Sequence, residues 1–215
     1  MNLSKLALTI VPALCLPVSC FAQISKNGAG YILRAKYTKG QVIRFQTVSG
    51  VDSNDKTISA MRVRVPVKLQ VLDVKRGVAT VKLTMGAVVV GGQTFQPEQS
   101  TVFALDNRNQ GNNTSASIGT NLPLKPVKAG TPWTSVMPVN MFGQISKLEG
   151  KYRFAGLKQV NGHLVGVITY ELSGPAEGTG TMMILASDGT MYSNDTRLTM
   201  GGNKLTRIHS SVTRG

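Results

Sequence analysis

The sequence predicts an all-β fold with at most one short helix, in which an antiparallel meander forms a curved sheet, half-barrel or sandwich. The main observation is a strict alternation of apolar and polar side chains over residues 61–71, which is the period of a half-buried strand. Turn signals recur between such segments, at Gly77, Asn161-Gly162 and Asp188-Gly189. Hydrophobic residues make up 41% of the 215 positions, which is enough for a packed core and excludes a disordered chain.

Residues 1–22 have the features of an export signal. Lys5 precedes an apolar stretch, and small residues lead up to Ala22, after which cleavage follows the small-x-small rule. Retention of the segment as a membrane helix is the alternative, and Pro12 and Pro17 disfavour it. We therefore expect an exported protein, periplasmic or secreted, with no transmembrane segment after cleavage.

Both cysteines of the chain, Cys15 and Cys20, lie inside this segment. Cleavage after Ala22 leaves a mature protein without disulfides, thiolate nucleophiles or cysteine-bound metal. Lipidation of Cys20 is a further alternative, since Ser19 before it is small, and it would leave the protein lipid-anchored. Residues 23–215 are enough for a single β domain that is stabilised by packing alone.

The sequence predicts three strands in the first part of this domain, because apolar and polar residues alternate there or β-branched residues are frequent. These strands span residues 41–48, 61–71 and 79–85. The second and third of these form a hairpin through the turn at Gly77. Pro66 has no amide hydrogen, so we expect its strand at a sheet edge or at a bulge. Short apolar runs over 87–90 and 101–105 follow.

Residues 106–138 separate this part from the rest, first as a polar loop and then as a proline-rich, extended stretch. Residues 139–149 are the one place where we expect a short helix, because apolar side chains fall three apart there. Asn161-Gly162 predicts a type I′ hairpin. Further strands are expected over 152–160, 163–172, 181–186, from 191 onward and up to about 213.

The two parts of the domain begin alike. Lys39-Gly40-Gln41 opens a strand as Ala129-Gly130-Thr131 does, and each part has a tight hairpin, at Gly77 and at Gly162. These similarities predict that the domain consists of two related halves joined by residues 106–138. Antiparallel β proteins also acquire such echoes without duplication, so a single unit with chance similarity is the alternative.

Several of these segments are typical of one group of proteins. A strand after Lys39-Gly40, the Val160-Asn161-Gly162 hairpin, and Gly178-Thr179-Gly180 before Asp188-Gly189 resemble exported bacterial β-sheet proteins of uncharacterised function. The expected curved sheet is also similar in outline to periplasmic lipoprotein carriers. The resemblance implies an exported β-sheet protein and brings no catalytic residues with it.

Positive charge is the strongest functional signal. The chain has 24 Lys and Arg against 10 Asp and Glu, a net charge of +14. Arg62, Arg64 and Lys68 project from one face of a strand, and we expect Arg44 and Lys82 on neighbouring strands to join them. A face of this sign attracts anionic envelope polymers or lipid headgroups. Nucleic acid is disfavoured, because only 6% of the residues are aromatic and can stack on bases.

We therefore predict an exported, non-enzymatic binding or structural module that contacts an anionic envelope component through this face. A solvated face whose charges merely discourage edge pairing explains the same pattern and is the alternative. No phosphate-binding loop and no metal-ligand motif occurs in the sequence, so we expect no cofactor and no metal.

A carrier of a hydrophobic or lipid-like ligand is the second hypothesis, and it would use the opposite side of the sheet. Seven apolar side chains could line a concavity there: Met61, Val63, Leu69, Leu83, Met85, Met182 and Met183. An enzyme is the third hypothesis. It would need His163 or His209, the only histidines, beside a carboxylate in a cleft.

Overall fold

The computed structural model describes residues 23–53, 61–90, 93–111, 122–141, 144–200 and 206–214. Within these residues the protein is all-β, as predicted, and contains no helix. The strands are β1 (Ile24–Asn27), β2 (Gly30–Leu33), β3 (Val42–Ser53), β4 (Met61–Lys75), β5 (Val78–Met85), β6 (Val88–Val90), β7 (Gln93–Gln96), β8 (Gln99–Leu105), β9 (Pro132–Met141), β10 (Gln144–Val160), β11 (His163–Ser173), β12 (Ala176–Leu185), β13 (Met191–Met200) and β14 (Thr206–Arg214). None of the described segments is a helix long and apolar enough to cross a bilayer.

Ten strands form one antiparallel sheet in the order β8-β5-β4-β3-β14-β13-β12-β11-β10-β9. The hairpins β1-β2 and β6-β7 form two separate two-stranded sheets. Strand β14 lies between β3 and β13, so the C-terminal strand joins the early part of the sheet to the late part. The antiparallel meander is therefore confirmed, with one long-range pairing at its centre.

Two tight hairpins have the backbone conformation that their sequences indicate. Arg76 and Gly77 between β4 and β5 have φ angles of 50° and 78°, and Asn161 and Gly162 between β10 and β11 have 47° and 79°. Positive φ at both central residues is what a type I′ turn requires. This turn matches the right-handed twist of the flanking strands and sets the register of each hairpin.

The expected short helix over residues 139–149 is wrong. Its described residues belong to the end of β9 and the start of β10, where Ile145 pairs with Asn140 and Leu148 with Met137. Apolar residues three apart do not distinguish a helix from a strand over so short a run. Hydrogen bonds to β9 make this segment a strand, since they satisfy the backbone groups of β10 along its first half.

Pro66 does not place its strand at a sheet edge, so that expectation is also wrong. Strand β4 is interior, between β3 and β5, and its register shift lies between Val71 and Asp73. The Gly86 amide donates to the Pro66 carbonyl at 2.8 Å, just beyond the end of β5. Because the N and O of a strand residue face the same neighbour, the missing amide hydrogen falls where β5 has ended.

The inner face of the sheet carries two hydrophobic cores. Core I contains Ile24, Leu33, Leu122, Val127, Tyr152, Phe154, Ile168, Tyr170, Met182, Ile184 and Ala186. Core II contains Ile43, Phe45, Leu69, Val71, Ala79, Val81, Phe103 and Leu105. Met191 packs against both cores. Between them β13, β14 and β3 present polar side chains, and Ser49 and Ser210 are hydrogen-bonded across the strands at 3.2 Å.

Residues 34–36, here called the strap, connect two turns that follow β8 and β12. The Ala35 amide donates to the carbonyl of Asn107 at 2.8 Å, and the Lys36 amide donates to the carbonyl of Asp188 at 2.7 Å. The strap therefore joins, through backbone hydrogen bonds, two turns that lie about 80 positions apart in the chain.

The two predicted halves repeat one local contact. The Gly40 amide donates to the carbonyl of Val71 and the Gly130 amide donates to that of Phe154, both at 2.9 Å. In each case the register of the accepting strand shifts directly after the accepting residue. The relation between the halves stays a prediction, and this recurrence is what supports it.

Three tyrosines are buried enough to predict how stability depends on pH. Burial raises the pKa of Tyr152 to about 12, with a smaller effect of Tyr170. Burial also raises the pKa of Tyr170, against its hydrogen bonds with Thr196 and Asn194, and that of Tyr37, with help from the charges of Asp188 and Asp106. For each of these tyrosines the folded state therefore favours the neutral phenol over the charged phenolate.

We expect the stability due to these tyrosines to be complete below the unfolded-state pKa of about 10 and to be lost as pH rises through the higher folded-state values. Urea unfolding of wild type and Tyr37→Phe at a series of alkaline pH values measures this. The variant should be less stable than wild type near neutrality, because the Tyr37 hydroxyl donates to Asn109 Oδ1 at 2.7 Å. The difference should shrink above pH 10, and a constant difference would contradict the prediction.

Candidate anion-binding face

The outer face of the ten-stranded sheet, opposite the two cores, carries all five cations that the sequence singled out. Alternation along β3 and β4 and the register between them bring Arg44 opposite Lys68, Arg64 opposite Val48 and Arg62 opposite Gly50. Lys82 on β5 lies opposite Gln70 of β4. Lys82 is half-buried and the other four cations are exposed.

Three of these cations meet in one shallow hollow, here called the β4–β5 depression, of about 320 Å³. Arg44, Lys68 and Lys82 line it together with Thr84, Ser100 and one carboxylate, Glu98. The Thr84 and Ser100 hydroxyls are 3.0 Å apart and share a hydrogen bond. Arg44 and Lys68 are direct cross-strand neighbours, an arrangement of like charges that destabilises a sheet unless an anion compensates it.

Arg62 and Arg64 do not line this depression. They lie further along β4, on two rows of outward-facing residues that cross the sheet from strand to strand. The first row runs from Arg62 through Gly50 and His209 to Arg197. Three strand spacings, about 14 Å, therefore separate Arg62 from Arg197.

The same rows end in a larger hollow on strands β10 to β13, which sequence reasoning missed. This β10–β13 depression has a volume of about 590 Å³. Eight outward-facing residues line it: Lys151, Arg153, Thr169, Glu171, Thr179, Thr181, Asp195 and Arg197. The sequence shows the alternating polar positions within each of these strands. It does not show the register that places the four strands side by side and so forms one surface.

Within the residues that the structure describes, the cations of both depressions form no salt bridge with a carboxylate. Salt bridges within the described ranges join Lys39 and Lys75 to Asp73, and His209 lies within hydrogen-bond distance of Asp195. None involves Arg44, Lys68 or Lys82, or Lys151, Arg153 or Arg197. Within the described ranges, none of these six charges is held in an ion pair.

His209 does stand beside a carboxylate, as the enzyme hypothesis requires. Its Nε2 lies 3.0 Å from Asp195 Oδ1, and both side chains are about half exposed, 51% and 56%. Asp195 lines the β10–β13 depression. In the part of the chain that the structure describes, Asp195 is the hydrogen-bond partner of this imidazole. His163 lies elsewhere, with its ring 5.6 Å from that of Tyr192.

The six apolar residues of the carrier hypothesis whose side chains the structure describes do not gather in one place. Leu69 is 2% exposed in core II, which Leu83 packs against, whereas Met182 is 3% exposed in core I. Met183 follows Met182 in the same strand and pairs with Val167, so it projects from the outer face. Val63 is half-buried and Met85 is 40% exposed. The side chain of Met61 lies outside the described part.

No protein-family model matches the sequence, and no curated protein matches it either.

Proposed function

We propose that this protein is an exported, non-enzymatic binding module that holds an anionic component of the cell envelope on the outer face of its sheet. The observation that carries the proposal is the direct cross-strand pair of Arg44 and Lys68, with Lys82 in the same depression. Like charges so placed lower the stability of the sheet, and a bound anion reverses that cost. Export follows from residues 1–22, which lie outside the described residues.

The chemistry of this face favours a polymer or a membrane surface that carries many anionic groups. Exposed charge pairs each contribute less than about 1 kcal/mol, so affinity requires several contacts at once. The outer face offers them in two depressions and along the rows between. Binding of this kind is screened by salt and should weaken steeply as ionic strength rises.

Replacing Arg44 and Lys68 together by glutamine should weaken binding of a polyanion about tenfold, because two contacts and their shared field are lost. The matched control is Lys125→Gln with Lys128→Gln, which removes the same charge from exposed positions away from the outer face. Affinity of the processed chain is measured by titration with polyglutamate and, separately, with vesicles that contain an anionic phospholipid.

The two probes distinguish a polymer from a headgroup as the source of the anion. We expect the Arg44 and Lys68 variant to lose affinity for at least one probe while the control retains it. Equal losses in the two variants would show that only net charge matters and would contradict the site. Absence of binding to both probes at low salt would overturn the function itself.

A carrier of hydrophobic ligands is the alternative function. Leu69 and Met182 fill two different cores, so no described feature favours a shared apolar cavity. A fluorescent fatty-acid analogue that bound with an affinity independent of salt would favour the carrier over the anion-binding module.

A further inference from the structure

We propose that the β10–β13 depression binds an acidic saccharide, meaning a sugar unit that carries a carboxylate or phosphate group. This inference deepens the proposed function by naming a ligand class, and it rests on that function only in requiring an anionic ligand. The residues that carry it are Arg153, Arg197 and Lys151 together with the threonines and carboxylates between them.

Two cross-strand rows form the depression. The first contains Lys151, Glu171, Thr179 and Arg197 in neighbouring strands, and the second contains Arg153, Thr169, Thr181 and Asp195. Neighbouring strands are about 4.8 Å apart, and successive outward residues in a strand are about 6.8 Å apart. Cations therefore stand at the two sides of the depression, with hydroxyl groups on the strands between them.

The composition of the lining matches a ligand that offers both anionic groups and hydroxyls. Guanidinium and ammonium groups only donate hydrogen bonds, and carboxylates such as Glu171 and Asp195 only accept them. Threonine hydroxyls do both. A purely anionic chain would use the cations but would be repelled by the two carboxylates, whereas sugar hydroxyls can donate to these same carboxylates.

The alternatives use less of this surface. A neutral saccharide brings no charge to offset the excess of the three cations over Glu171 and Asp195. Single-stranded nucleic acid binds by stacking on exposed rings, and the one aromatic residue at the depression, Tyr170, points its hydroxyl to Asn194 and Thr196 on the inner face. An acidic saccharide is the ligand class that uses the cations, the hydroxyls and the carboxylates together.

Two variants separate these contributions in the full processed chain. The first double variant, Arg153→Gln with Arg197→Gln, removes two positive charges. The second, Thr179→Val with Thr181→Val, removes two hydroxyl groups. It leaves the charge unchanged, and valine is as favourable in a strand as threonine. Lys125→Gln with Lys128→Gln is the matched control, because it removes the same charge from exposed positions that line neither depression. The probes are oligogalacturonate, polyglutamate and a neutral maltooligosaccharide. Circular dichroism and the thermal midpoint establish that each variant is folded.

We expect wild type to bind oligogalacturonate about tenfold more tightly than polyglutamate at equal charge, and to bind the neutral oligosaccharide hardly at all. The Arg153 and Arg197 variant should lose about tenfold in affinity for oligogalacturonate, and the Lys125 and Lys128 control should lose little. The threonine variant should lose several-fold for oligogalacturonate and nothing for polyglutamate. Should the threonine variant fail to fold, Thr179→Val alone serves in its place, with a smaller loss for oligogalacturonate and none for polyglutamate.

Equal binding of oligogalacturonate and polyglutamate, with no separate effect of the threonines, would overturn this inference and leave the proposed function standing. Binding of the neutral oligosaccharide as tightly as oligogalacturonate would overturn the inference as well, because the cations would then contribute nothing to affinity. Failure of every anionic probe to bind would overturn both proposals.

Discussion

Replacement of Gly189 by alanine should lower the free energy of unfolding by about 3 kcal/mol. Gly189 has a φ of 67°, and a Cβ added there would overlap the carbonyl oxygen of Arg34 in the strap. The left-handed conformation alone costs a non-glycine residue about 1–2 kcal/mol. Backbone movement away from Arg34 would also disturb the hydrogen bond from the Lys36 amide to Asp188, which adds about 1 kcal/mol.

Gly77→Ala is the matched control for this prediction. Gly77 has a similar φ of 78°, but an added Cβ would meet nothing within 4 Å. Its loss should be near 1 kcal/mol, from backbone conformation only. Urea unfolding at neutral pH measures both variants. Equal losses of stability at the two glycines would show that overlap with Arg34 adds nothing to the cost of the substitution at Gly189.

Replacement of Arg34 by methionine should also cost about 3 kcal/mol, since it removes a charged donor that serves three backbone carbonyls. Its guanidinium donates to Leu33 O at 2.6 Å, Pro123 O at 2.7 Å and Leu124 O at 2.6 Å. Burial, and the charge of Arg108 next to it, lower the pKa of Arg34, so the group is partly removed from water. Methionine keeps most of the apolar stem and leaves the carbonyls without this donor.

Arg108→Met provides the comparison. Arg108 makes one such bond, from Nε to the Leu122 carbonyl at 3.0 Å, so its loss should be about 1 kcal/mol. Denaturant unfolding should rank wild type above the Arg108 variant and the Arg108 variant above the Arg34 variant. A reversed order would mean that residues 122–124 are held over core I by packing rather than by Arg34. Neither variant changes the outer face, so polyglutamate binding in the absence of denaturant should be unaffected.

The candidate site was only partly predictable. Alternation along β4 placed Arg62, Arg64 and Lys68 on one face, and adjacency in the hairpin brought in Lys82, because both relations are local in the chain. The larger β10–β13 depression depends on Arg153 and Arg197, which lie 44 positions apart and share a surface only through the register of four strands. No feature near either arginine indicates the other.

The sequence by itself determined the fold class, the strand alternation and the position of tight turns such as Asn161-Gly162, because these follow from backbone preferences within a few residues. The tertiary structure alone decided that β14 lies between β3 and β13, that β4 is interior, and that residues 139–149 are strand. Each of these depends on hydrogen bonds from one strand to another, between sequence neighbours for β4 and for β9–β10 and between distant segments for β14 and β3, and their free energy outweighs the preference of a single segment. Which cations face one ligand is set by the same long-range register.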